Sequence, residues 1–156
     1  MLRDGQSFIS ASDDPSDALC FDNQICFSLY SASNAMIRAY QPELKSLNLT
    51  YLQYIVMMVL WEKDNVTISY LCNKLHLDSG TLTPLLTRLE GKQFITKRIS
   101  SNDERVRCVF LTDTGKQLKL KSLTLPRKIL CKTALPIEQL KKLKAQCDEL
   151  LSSFES

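Results

Sequence analysis

LDSGTLTPLLTRLE, residues 77–90, decides the fold. Leu82, Leu85, Leu86 and Leu89 recur at the spacing of one helix face. The opposite face is small and polar: Gly80, Thr83, Pro84 and Thr87, with Arg88 at its edge. Asp78 stands where an N-cap belongs, so a helix is predicted over 79–91. Pro84 removes one backbone donor and is read as an early-helix position whose cost packing offsets. Upstream, ISYLCNKL (68–75) reads as a short amphipathic helix capped by Thr67, and His76 falls in the turn between the two helices. A short helix, a tight turn and a second helix with a small outer face form a helix-turn-helix.

Downstream, two β-rich runs (95–100 and 106–111) flank the polar turn SNDER and predict a hairpin. A helix-turn-helix followed by a hairpin is a winged helix, the hairpin being the wing. Upstream, Thr50 caps a predicted helix over 51–62, with Trp61 and the Met57–Met58 pair as core. A first helix runs from about Asp22 to Tyr40, capped by Asp22 or Asn23. Pro42 lies outside it, and a short helix follows at 43–47. Thr112 opens another helix, Pro126 and Pro136 punctuate the tail, and 137–154 is a final amphipathic helix. The expected class is mainly α with a small β-hairpin wing. Residues 1–18 form a polar arm, 19–48 dimerisation helices, 49–115 the winged helix-turn-helix, and 116–156 C-terminal dimerisation helices. The end helices are assigned to a dimer because they have no obvious core within a DNA-reading domain.

The 156 residues are enough to bury a core without disulfide staples. The net charge of +3 is too small to indicate nucleic acid by itself, but it is unevenly spread. Residues 1–22 carry a net −4 and residues 88–107 a net +3. No apolar run reaches membrane-spanning length and no leader pattern opens the chain, so a cytoplasmic protein without membrane contact is expected. Six cysteines without a CxxC, and a single histidine, argue against a metal site. No cofactor is expected, and Cys20, Cys72, Cys108 and Cys147 are given no role.

The order of these pieces resembles the MarR family of winged-helix regulators. FDNQICFSLYSASNAM (21–36), LTYLQYIVMMVLWE (49–62), LDSGTLTPLLTRLE (77–90) and NDERVRCVFLTDTG (102–115) narrow the resemblance to its organic-hydroperoxide-responsive repressors. The resemblance covers nearly all of the chain from about residue 19 onward, with Leu52 standing where these repressors usually have proline. It implies a homodimer that represses from palindromic double-stranded operator DNA and lets go when an organic hydroperoxide oxidises it. The family's reactive cysteine falls on Cys26 and its hydroxyl partners on Tyr40 and Tyr51, with Tyr30 nearby. The second cysteine of two-cysteine members falls on Cys131, and in such members the pair joins between subunits.

Chemistry agrees with that assignment. Cys26 lies near a helix start, where partial positive charge favours a thiolate. A thiolate attacks peroxide oxygen to give a sulfenic acid, which condenses with a nearby thiol, making Cys131 a candidate resolving residue. Tyr40 is fourteen residues from Cys26, ~21 Å along one helix, so it would reach only a partner's cysteine across a two-fold interface. For DNA, Ser79, Gly80, Thr81, Thr83 and Pro84 would lie closest to bases in the major groove, and Arg88 would meet a phosphate or base edge. Arg105 in the wing would reach the minor groove or its phosphates, with Asp103 orienting it. Three alternatives stay open: a repressor switched by a small aromatic ligand in the dimer crevice, a thiol sensor of other reactive species, and a thiol peroxidase, the last lacking any further acid–base constellation.

Overall fold

A computed structural model describes residues 19–99 and 105–154. Residues 1–18, expected to form an arm, and Asp103, expected in the hairpin turn, lie outside the described residues. A 3-10 turn at Phe21–Asn23 is followed by α1 (Ile25–Ser46), α2 (Tyr51–Glu62), β1 (Val66–Thr67), α3 (Ile68–Leu75) and α4 (Ser79–Gly91). Then come β2 (Ile95–Ile99), β3 (Arg107–Leu111), α5 (Asp113–Ser122), α6 (Leu125–Cys131) and α7 (Ile137–Phe154). The described chain falls into two units, one ending at Arg38 and one beginning at Ala39. The mainly helical class with a small sheet is the expected one.

The second unit is organised around α2. Thr50 and Gln53 form a reciprocal capping box that starts this helix. Val56, Met57 and Leu60 are buried against Leu71 of α3, Leu82, Leu86 and Leu89 of α4, and Val109 of β3. Only one of the paired methionines is core: Met58 is 37% exposed, because consecutive helical residues point about 100° apart. Thr67, Asp78 and Thr112 each accept a backbone N–H at the start of α3, α4 and α5, at the predicted positions. His76 ends α3 in the left-handed region at φ 50°, which is how a three-residue turn fits between α3 and α4.

The wing is larger than a hairpin. β3 pairs antiparallel with β2, Lys97 opposite Val109, and also with β1, Val66 opposite Val109, giving the order β1-β3-β2. The wing is tied to α5 by a close backbone approach. Trp61 Nε1 donates to Gly115 O at 2.9 Å, and a Cβ built on Gly115 would stand 2.1 Å from Phe94 O.

The ends depart from expectation. Asp22 and Asn23 lie in the 3-10 turn, whose amide bonds run from Asn23 and Gln24 back to Cys20 and Phe21, and α1 opens just beyond it at Ile25. Pro42 does not end that helix: α1 continues to Ser46, and no separate helix stands at 43–47. Pro42 is exposed, and Leu44, 1% exposed, anchors the turn beyond it, so packing outweighs the lost donor. Pro126 punctuates the tail as expected: it stands in the first turn of α6, after the break that follows Ser122, where a residue needs no backbone donor. α7 has the expected bounds but no buried residue, and Leu143, Leu150, Leu151 and Phe154 are exposed along it. In the first unit Leu19, Phe21, Ile25, Phe27, Tyr30 and Met36 are exposed as well.

Candidate nucleic-acid interface and thiol site

α4 divides as its sequence divides. Leu82, Leu85, Leu86 and Leu89 are buried, while Ser79, Gly80, Thr81, Thr83, Pro84, Thr87 and Arg88 are exposed on one continuous outer face. Every DNA contact expected on this helix is therefore available to a groove. The Asp78 carboxylate takes the Thr81 amide at 2.7 Å and the Thr81 hydroxyl at 2.8 Å. Gly80 leaves room for this cap, since a Cβ there would come within 3.0 Å of the Asp78 carboxylate.

These hydrogen bonds from Thr81 hold the Asp78 carboxyl below its ordinary value of 3.8. A depressed carboxylate contributes stability that is fully present above the unfolded value. That contribution is lost as pH falls through the folded one. Thermal unfolding of Asp78→Asn, whose side chain caps without ionising, should lose less stability than wild type between pH 7 and pH 3. Equal losses would show that the cap does not titrate in this way.

The wing's base is pinned to α4. Glu90 accepts the Lys97 amide at 2.9 Å and pairs with its ammonium at 2.9 Å, and that ammonium also reaches Thr87 Oγ1 at 3.3 Å. Hydrogen bonding by Lys97 lowers the Glu90 carboxyl below its ordinary range, against some opposition from burial. Arg105 is exposed where the chain enters β3, and with Val106 and Arg107 it borders a cleft against Thr67, Ile68 and Ser69 at the start of α3. On the far side of α4, Lys92 donates to Asn48 O and Gln53 Oε1 at 2.6 and 2.9 Å. None of Glu90, Lys92 and Lys97 was singled out from the sequence. The available signal was opposite charge at Glu90 and Lys97 on either side of a tight turn.

Cys26 is the second residue of α1, exposed and unpaired. No acidic side chain lies in the first turn to compete for the positive end of the helix dipole. Phe27 stacks with Phe21 at 4.4 Å between ring centres and with Tyr30, one helical turn beyond Cys26, at 6.5 Å.

Tyr40 and Tyr51 meet in the second unit, their ring centres 5.4 Å apart. Tyr54, which sequence reading did not include, joins them at 5.8 Å from Tyr40 and continues to Trp61 at 6.1 Å. Burial, then the neighbouring Tyr51, raises the Tyr40 phenol. Burial with Tyr40 and Tyr51 nearby pushes Tyr54 up to about 12. Tyr40 and Tyr54 therefore stay protonated near neutral pH and remain hydrogen-bond donors.

Cys131 is the last residue of α6, exposed and unpaired. It lies between a groove with Glu43, Arg127, Lys128 and Lys132, in which Lys128 pairs with Glu43 at 3.3 Å, and an apolar one with Leu135, Ile137 and Leu140. Among the described residues no cluster of histidine, cysteine or carboxylate side chains is arranged to hold a metal. No helix among them is long and apolar enough to cross a membrane.

The profile of the transcriptional regulators SarA/Rot matches residues 38–121. The organic hydroperoxide resistance transcriptional regulator of Bacillus subtilis is 41% identical over 138 residues, which span 88% of this chain and 94% of that protein. The structure of reduced AbfR bound to DNA, a protein of Staphylococcus epidermidis, has a TM-score of 0.74 at 29% identity, covering 90% of this chain and 99% of that one. AbfR has also been solved overoxidised on DNA (TM-score 0.71, 30% identity, 89% and 98% covered) and with its disulfide formed (0.60, 30%, 87% and 96%). The apo form of Escherichia coli MarR shares the fold at 21% identity, with a TM-score of 0.67 over 82% of this chain and 97% of that one.

Proposed function

The chain belongs to the organic hydroperoxide-responsive regulators of the MarR family, and from that premise we propose that Cys26 is its sensing thiol and α4 with the wing its DNA-reading surface. The protein is a DNA-binding transcriptional repressor that senses oxidant through cysteine. It binds double-stranded operator DNA as a homodimer and takes an organic hydroperoxide as its signal. The protein is cytoplasmic and is not an enzyme: each oxidised thiol reports one peroxide.

The observation that carries the assignment is an exposed, unpaired Cys26 in the first turn of a long helix. The thiolate attacks one peroxide oxygen and the O–O bond breaks. Sulfur becomes a sulfenic acid, and the other oxygen leaves as the alcohol after taking a proton. The peroxide is reduced by two electrons and the sulfur oxidised by two. Attack by the Cys131 sulfur on the sulfenic sulfur then forms S–S and breaks S–O, the oxygen leaving as water with the thiol's proton. Hydroxyls of Tyr40 and Tyr51 donate to the Cys26 sulfur of the partner subunit, which holds the nucleophile in place for the peroxide.

A two-fold dimer covers the apolar residues left exposed on α1 and α7. Each copy presents one α4, so the operator is palindromic, with half-sites one helical turn apart. Ser79, Gly80, Thr81, Thr83 and Pro84 approach bases, Arg88 pairs with a phosphate or guanine edge, and Arg105 enters the minor groove. Asp103 orients Arg105.

AbfR has been solved on DNA both reduced and overoxidised, which favours the disulfide rather than an oxygenated sulfur as the releasing state. The test uses duplex DNA selected from a random pool, titrated with protein before and after stoichiometric cumene hydroperoxide. Wild type should bind when reduced and let go when oxidised, with a disulfide-linked dimer on a non-reducing gel. Cys131→Ser should still consume one peroxide per Cys26, yet keep most of its DNA affinity. Release by Cys131→Ser equal to wild type would remove Cys131 from the switch.

A further inference from the structure

Glu90 is an anomaly on a surface meant for DNA. It lies near the end of the recognition helix, and a carboxylate near phosphate is unfavourable. Its partner explains its presence. One oxygen takes the Lys97 backbone amide and the other its ammonium, both at 2.9 Å. The same ammonium lies 3.3 Å from Thr87 Oγ1, on the outer face of α4 one turn beyond Thr83. Thr87 in turn donates its hydroxyl to Thr83 O at 3.0 Å. Lys97 is the less exposed of the pair, its side chain 20% exposed against 37% for Glu90. A lysine beside the reading face is thus laid along the helix and neutralised, instead of reaching outward.

We infer that Glu90 is a specificity-determining residue: by holding Lys97 against α4 it withholds a cation from the DNA backbone and fixes the angle between the recognition helix and the wing. The inference rests on the DNA-binding reading above. A free lysine ammonium gains affinity for any duplex, because phosphate contacts carry no sequence information. Tied to Glu90, Lys97 adds nothing to non-specific binding. The amide bond to Glu90 also anchors β2, so α4 in the major groove and Arg105 in the minor groove keep one register.

Glu90→Gln tests this, since the amide still accepts the Lys97 N–H but no longer neutralises its ammonium. Binding to the selected duplex and to a random duplex of equal length is measured against salt, in the reduced protein. Random-duplex affinity should rise several-fold at low salt. Its salt slope should steepen by about 0.9 for each freed lysine, or about 1.8 for a dimer. The ratio of specific to non-specific affinity should fall about tenfold. The double variant Glu90→Gln/Lys97→Gln should return the slope to the wild-type value, which a merely structural defect would not do. An unchanged slope in Glu90→Gln, or a steeper slope that persists in the double variant, overturns the inference. Failure of wild type to prefer its selected duplex would overturn the DNA-binding reading itself, an outcome visible before any variant is made.

Discussion

Cys26→Ser should produce a repressor that organic hydroperoxide cannot dislodge. The oxygen-for-sulfur change is nearly isosteric and keeps a hydrogen-bond acceptor at the same place, so folding stability should stay within about 0.5 kcal/mol of wild type. Reduced wild type and Cys26→Ser should therefore bind selected DNA equally well. They should diverge on oxidation. A serine hydroxyl is not ionised near neutral pH and forms no sulfenic acid, so nothing links peroxide to the dimer. Wild type should lose roughly 100-fold in affinity, in the upper part of the range usual for coupling between sites. The variant should change by less than about twofold on the same scale. Anisotropy of labelled duplex, read over a cumene hydroperoxide titration, gives both numbers. Release by Cys26→Ser at wild-type doses would move the switch elsewhere, and an aromatic ligand in the dimer crevice would become the leading alternative. A parallel titration with hydrogen peroxide separates a sensor of organic hydroperoxides from a general thiol sensor.

The second large effect lies far from any thiol. Gly115→Ala should cost about 3 kcal/mol, at the upper end of ordinary overpacking, because the intruding methyl meets backbone rather than a movable side chain. The added carbon would stand 2.1 Å from Phe94 O, 3.0 Å from Phe94 C and 3.3 Å from Leu111 Cδ2. Relief requires the start of α5 to pull away from the 94–95 strand entry, breaking the Thr112 cap on Gly115 N and the bond from Trp61. About 3 kcal/mol lowers Tm by roughly 6–12 °C in a domain of this size. Differential scanning fluorimetry checks it, and a shift below about 2 °C would mean that the corner relaxes freely.

These two sites also show what was legible beforehand. α3, α4 and α7 have the bounds read from their caps and periodicity, because a side-chain cap and an apolar stripe are local and additive. β1 was not legible. Two residues have no period, and Val66–Thr67 is a strand only because β3 offers it an edge. Pro126 marks a helix start, as a breaker should, but Pro42 does not end α1, because the buried Leu44 carries the helix past it. The outer face of α4 was legible residue by residue, since its polar positions are those the leucines leave over. Cys26 was not legible from its own surroundings; resemblance to a family singled it out among six cysteines. The Glu90–Lys97 clamp was hidden because its geometry depends on how β2 returns past α4.

The hydrogen bond between Trp61 and Gly115 has a practical consequence. The chain has one tryptophan, and its indole N–H is held by the backbone at the junction of α2 and α5. Its intrinsic emission is therefore a built-in, site-specific optical probe. Opening of that corner would replace a fixed carbonyl by solvent and shift the emission to longer wavelength. One cuvette of unlabelled protein would then follow, in real time, whether an oxidised thiol is felt at the root of the DNA-reading unit.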